Sequence, residues 1–250
     1  MKRHKSEGLD VADLRSTLDI LTEVNNHSWF TEVDKPNQTH EKYTTYDISC
    51  NEDFALHAKY HHWKRIFQYF KESDKAMGSF ATKYVNKDLL EFNPERKMRM
   101  RFSLMPQVWA DKLEPNTSSI QDRLNAINDF IAAGYDVHVN FSPVIFTEDW
   151  LKHYRNLFDE LNYAVKEDYK QYVKAEVIFL THNAKKHEHN ISNQLPGEDL
   201  LWSPDNQEEK VSQYGGTNIR YKYKLKSNLI HKWTDLHNKI IPWNTIRYIF

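Results

Sequence analysis

Lys97-Met98-Arg99-Met100-Arg101-Phe102-Ser103-Leu104 alternates apolar and polar side chains with period two, which predicts a strand. Further on, Ser118-Ser119-Ile120-Gln121 carries the residues of a capping box, in which Ser and Gln side chains satisfy free backbone donors. Ile120, Leu124, Ile127 and Ile131 then recur at helical spacing, and Gly134 supplies a left-handed stop. Asp136-Val137-His138-Val139-Asn140-Phe141 resumes the strand pattern, and Pro143 is expected to end its ladder. Strand, helix and strand in succession make a βαβ unit, whose two strands lie parallel.

The same alternation extends both ways. Upstream, Val11, Leu14, Leu18 and Leu21 form one helix face that Asp10 can cap. The run Tyr43-Thr44-Thr45-Tyr46-Asp47-Ile48-Ser49-Cys50 reads as a strand, and Leu56, Tyr60, Trp63, Phe67 and Phe70 as a helix. Another strand follows from Met77 to Lys83. Downstream, Leu151, Tyr154, Phe158 and Leu161 mark a helix, and Glu176-Val177-Ile178-Phe179-Leu180-Thr181 a strand. A helix near 225–240 and a strand at 244–250 close the chain. Residues 182–216, with Pro196, Gly197 and Pro204, are too long for an ordinary connection and are expected to be an irregular functional loop. Repeated strand–helix–strand units predict the α/β class, parallel strands with outer helices in one domain over 1–250. A barrel and an open doubly wound sheet both fit. Right-handed crossovers place the strand C-terminal ends on one edge, where such folds keep their chemistry.

Composition narrows the classes. With 250 residues, 40% hydrophobic and 28% charged, the chain is globular and large enough for a full core. A net charge of −1 supplies no global field toward nucleic acid or membrane. No apolar run is long enough for a transmembrane helix, and no signal peptide is visible. The single cysteine, Cys50, excludes a disulfide framework and any all-cysteine metal site built from this chain alone. It fits a reducing cytoplasm, the expected location.

The expected strand ends carry Cys50 with Asn51, Glu52 and Asp53; Thr82 and Lys83; Ser103; Asn140 and Ser142; Thr181 and His182. A thiol, an ammonium, hydroxyls, an amide and an imidazole facing one pocket could grip a polar ligand. Phosphate-loop and dinucleotide glycine fingerprints are absent. Each residue also has a plainer reading: a small buried cysteine, a solvated lysine, serines that satisfy local backbone. His57 and His61 have zinc-chelating spacing, but Ala58 stands where a zincin has glutamate. His187-Glu188-His189 has no partner cysteine and reads as solvated loop, so no metal site is expected. Arg99, Arg101, Lys222, Lys224 and Lys226, interleaved with Tyr221 and Tyr223, could grip phosphates and stack on bases. The plainer reading is a strand with one solvated face.

Several ordered stretches resemble the C-terminal two-thirds of the spore photoproduct lyase family, within the radical S-adenosylmethionine (AdoMet) superfamily. They are Asp47-Ile48-Ser49-Cys50-Asn51-Glu52-Asp53, Phe80-Ala81-Thr82-Lys83-Tyr84, Arg101-Phe102-Ser103-Leu104 and Glu114-Pro115-Asn116-Thr117-Ser118-Ser119. Ala132-Ala133-Gly134-Tyr135, Ser142-Pro143-Val144-Ile145-Phe146, Glu148-Asp149-Trp150, Leu180-Thr181-His182 and Ile246-Arg247-Tyr248-Ile249-Phe250 follow in the family's order. The resemblance implies a partial (β/α) barrel, here N-terminally incomplete. It implies AdoMet and a four-iron, four-sulfur cluster as cofactors, and a thymine dimer in DNA as substrate. By the same resemblance Cys50 is the catalytic hydrogen donor, and Lys83, Ser103 and Ser142 line the AdoMet site. Tyr214 is a substrate-loop aromatic, preceded by Gln213 where the lyase has a basic residue. The family's Cys-x-x-x-Cys-x-x-Cys motif is absent, so the isolated chain is expected to be inactive. A separate N-terminal chain would then supply the cluster; the competing expectation is a non-catalytic remnant or ligand-binding domain.

Overall fold

The computed structural model describes residues 19, 40–48, 52–211 and 216–250. The fold is α/β, a partial (β/α) barrel of parallel strands with flanking helices, as expected. The chain divides into two compact units, residues 1–102 with 129–137, and residues 103–128 with 138–250. Apart from Asp19, the expected helix at Val11 to Leu21 lies outside the described residues.

In the first unit, β1 (Thr44–Asp47), β2 (Ala76–Thr82) and β3 (Met98–Leu104) run parallel, with Thr45 opposite Met77 and Ala81 opposite Arg101. The helix expected across Leu56 to Phe70 is broken. Helix α1 (Phe54–His57) and a 3-10 turn (Ala58–Tyr60) precede α2 (Trp63–Glu72). Their apolar faces meet the strands in an aromatic cluster. Phe67 lies 5.7 Å from Phe54, 6.1 Å from Phe80 and 6.1 Å from Tyr135, ring centre to ring centre. Such rings remove large apolar areas from water and also interact edge to face. Helices α3 (Gln107–Leu113) and α4 (Ile120–Ala132) follow β3.

The start of α4 corrects the expected capping frame by one residue. The hydroxyl of Ser119, not Ser118, accepts from the Asp122 backbone N–H at 3.0 Å, and Gln121 bonds to Asn125 instead. Gly134 stops the helix as expected, at φ +95°. A Cβ there would also collide with the Asn93 side chain.

In the second unit, β4 (Asp136–Val144, with residues from 138 on), β5 (Lys174–Phe179) and β9 (Thr245–Ile249) run parallel. Pro143 does not end β4. The strand shifts register between Phe141 and Val144 and continues past it. Helices α5 (Trp150–Ala164) and α6 (Glu167–Lys170) join β4 to β5. Phe141 stands 5.5 Å from Phe158 of α5 and 5.2 Å from Trp233.

Residues 182–216, expected to be irregular, are largely ordered elements. They comprise β6 (Thr181–His182), α7 (Ala184–Ser192), α8 (Glu198–Leu201) and β7 (Gln207–Val211). With β8 (Thr217–Tyr221), strands β6 and β7 make a three-stranded antiparallel sheet, and α9 (Tyr223–Ile240) follows. Propensity missed this because short strands and one-turn helices carry almost no periodic signal. The alternation at 221–226 is likewise not a strand. Tyr221 ends β8, whereas Tyr223, Lys224 and Lys226 stand on α9.

Candidate active site at the strand ends

Two kinds of face alternate along each strand. On β3, Phe102 meets Phe130 of α4 at 5.6 Å, so the even-numbered residues face the helices. Arg99, Arg101 and Ser103 face the other way. This opposite face is buried yet polar. Arg99 Nε donates to Asp136 Oδ2 at 2.8 Å, and Arg101 Nη2 to Asp47 Oδ2 at 2.6 Å. Both arginines are therefore interior ion-pair members. That removes them from the nucleic-acid surface the sequence left open. Nor does Tyr221 offer a free ring: it is buried, its hydroxyl accepts from Phe146 N at 2.8 Å, and burial pushes its pKa up to about 12.

Lys83 follows β2, where Asp53 sets its backbone. Asp53 Oδ2 accepts from Lys83 N at 2.7 Å, while Oδ1 accepts from Thr82 Oγ1 at 2.7 Å and caps α1 through Leu56 N at 3.2 Å. One carboxylate thus ties the end of β2 to the start of α1. Beside it, Glu52 lies 3.3 Å from His57 Nδ1 and 2.9 Å from His61 Nε2. Cys50 lies outside the described residues, as does Tyr214.

In the second unit, Ser103 is buried near the end of β3, and its carbonyl oxygen accepts from Arg123 Nη1 at 2.8 Å. Arg123 is fully buried and spends its other donors on the turn after α3. Nε reaches Ser118 O at 3.0 Å, Nη2 reaches Thr117 Oγ1 at 2.8 Å, and Nη1 pairs with Glu114 at 2.9 Å. The Glu114 to Ser119 stretch is thereby wrapped around one guanidinium, all three of whose nitrogens have a partner. Sequence reading missed Arg123, although a charge on an otherwise apolar helix stripe was the available signal.

Asn140 and Ser142 occupy β4 on the side opposite Phe141. Asn140 is buried, and its Oδ1 has no hydrogen-bond partner among the described residues. An orphaned buried acceptor costs about 1–3 kcal/mol, and a ligand donor would relieve it. Ser142 is half-buried. On the same face, Arg247 Nη1 lies 3.2 Å from His138 Nδ1 and 3.5 Å from Glu176 Oε1. The donor set of this unit, hydroxyls and an amide, suits the ribose and base edges of a ligand. It does not suit an iron-sulfur cluster, because this chain has one cysteine.

Parallel strands with flanking helices, and polar groups near the strand C-terminal ends, define a protein of the β/α-barrel class. The chain belongs to the spore photoproduct lyase family: that family's model matches residues 14–250. It is 30% identical to the spore photoproduct lyase of Bacillus subtilis strain 168 over 162 residues, 64% of this chain and 47% of that protein. Identity to the Geobacillus enzyme is also 30%, over 47% of this chain and 35% of that one. The chain thus matches about half the length, or less, of these curated relatives. A solved spore photoproduct lyase variant with AdoMet and a dinucleoside spore photoproduct bound aligns with a TM-score of 0.81 and 21% identity. The alignment takes in 95% of this chain and 67% of that one. Another, complexed with dinucleoside spore photoproduct, gives a TM-score of 0.79 and 22% identity over 93% and 67%. These two likenesses speak for the fold. Nothing in the matches supports a separate N-terminal chain. Among the described residues no helix is long and apolar enough to cross a membrane.

Proposed function

We propose that this chain carries the AdoMet-binding and substrate-binding part of a spore photoproduct lyase-type enzyme acting on a photoproduct in DNA. The observation that supports it best is the family match across 14–250, within which Lys83, Ser103 and Cys50 fall in stretches that resemble the family. Bound AdoMet would supply the adenosyl group from which the family's radical chemistry starts. In this reading the Lys83 ammonium pairs with its carboxylate, the Ser103 hydroxyl serves its ribose, and Ser142 lies toward its adenine. Asp53 and Arg123 act as positioning residues, fixing the backbone of Lys83 and Ser103. Cys50 gives the hydrogen atom of its weak S–H bond to a substrate carbon radical, which forms a C–H bond and leaves a thiyl radical. Tyr214 serves as a substrate-binding aromatic, as the resemblance implies. The single cysteine is the reason to read the location as cytoplasmic.

The experiment is calorimetric titration of the chain with AdoMet. Saturable binding, weakened at least tenfold by Lys83→Ala and by Ser103→Ala, is the expected result. Absence of binding to a folded chain would leave the non-catalytic remnant as the reading.

A further inference from the structure

His182, His187 and Glu198 come together from three elements that the sequence keeps apart. His182 ends the two-residue strand β6, His187 stands on α7, and Glu198 opens α8. Glu198 Oε1 lies 2.9 Å from His182 Nε2 and 2.5 Å from His187 Nδ1. The three ligand atoms all fall within 4.8 Å of one another. Ligand atoms on one tetrahedral zinc stand roughly 3.3 Å apart, as metal bonds near 2.0–2.1 Å require. Small side-chain shifts would therefore bring the set to coordination distance.

Three further features fit a cation. His182 and Glu198 are buried, whereas the His187 side chain is 25% exposed, so an ion and its waters have a way in. Asn190 Nδ2 donates to the other carboxylate oxygen, Oε2, at 2.5 Å. That fixes the carboxylate plane and leaves Oε1 as a single ligand, the outer support that metal-binding carboxylates usually have. Trp202 closes one side, stacked on the His187 ring at 3.9 Å and edge-on to His182 at 5.9 Å.

We infer that His182, His187 and Glu198 form a binding site for a divalent transition metal of the Zn2+ type. Two neutral imidazoles and one carboxylate are a borderline donor set, suited to Zn2+ or Co2+ and poor for Ca2+ or Mg2+. The ion takes the place between Oε1 and the two ring nitrogens, each neutral ring keeping its proton on its other nitrogen, and water fills the remaining positions. Its place in the fold indicates a structural role. Strand β6 pairs with β8, His182 opposite Ile219, and β8 pairs with β7. The ion would clip α7 and α8 to the base of that sheet.

The test is titration of the chelator-stripped chain with CoCl2 near neutral pH, read by visible d–d absorption and equilibrium dialysis. One Co2+ per chain, displaced by Zn2+, is expected. Glu198→Gln and His187→Gln should abolish the band, Asn190→Ala should weaken binding about 10–100-fold, and His57→Gln should leave it unchanged. Circular dichroism separates lost ligation from lost folding, and the partly exposed His187 provides the variant that stays folded. No band in the wild-type chain, or a band that survives His187→Gln, overturns the inference. The titration contains no AdoMet, so its outcome is independent of the proposed function.

Discussion

Arg123 Nη1 donates to the main-chain oxygen of Ser103 at 2.8 Å while pairing with Glu114 at 2.9 Å. The strand end that presents Ser103 is thus held by a fully buried cation whose own neutrality depends on one acid. Removing either partner takes away the charge that pairs with the other. Arg123→Met is expected to destabilise the protein by about 3–5 kcal/mol, the usual cost of leaving a buried charge unpaired. Urea unfolding measures it. Arg123→Met combined with Glu114→Gln should recover part of the loss; no recovery would mean that packing, not charge, dominates.

Gly134→Ala should cost about 1–3 kcal/mol, because an L side chain at φ +95° is strained. The Asn93 side chain adds a collision. In an Asn93→Ala background the penalty should shrink but not vanish. A thermal unfolding midpoint equal to that of the parent in that background would show that the backbone there tolerates a Cβ.

His237 supplies a pH test. Burial lowers its pKa, and hydrogen bonds to Asn244 and Asn238 only partly offset this. The unfolded chain therefore takes up a proton before the folded one does. The stability this neutral imidazole contributes is complete above the unfolded value of about 6.5 and is lost as pH falls below it. Urea unfolding near neutrality and at mildly acid pH should show that decline in the wild type and a shallower one in His237→Gln. Equal slopes would remove His237 as its source.

Cys50→Ala addresses the proposed chemistry. In an enzyme assembled with the family's cluster, AdoMet cleavage should persist while ordered product formation fails. Chromatography of 5′-deoxyadenosine and of repaired thymine reads the two separately. Equal loss of both would contradict a hydrogen-donor role.

The sequence was most legible where periodicity is strong. Strand β3, helix α4 and strand β4 appear where alternation and helical spacing placed them, because burial of one face governs each. The α4 cap was misread by one residue because Ser118 and Ser119 offer equal hydroxyls, and the choice rests on the Asp122 geometry. Pro143 lost its breaker role to a register shift that pairing alone reveals. Lys83 and Ser103 were legible as strand-end residues. Arg123, Asp53 and the contact of His182 with Glu198 were not, since each joins positions that no local pattern relates.

The two arginines of β3 have one more consequence. Side chains alternate along a strand, so sliding β3 by a single residue would turn Arg99 and Arg101 toward the Phe130 ring and away from Asp136 and Asp47, and move Met100 and Phe102 against those two acids. An all-apolar strand could be misthreaded at little cost. This one cannot, and the paired charges act as a key that admits one alignment of the sheet.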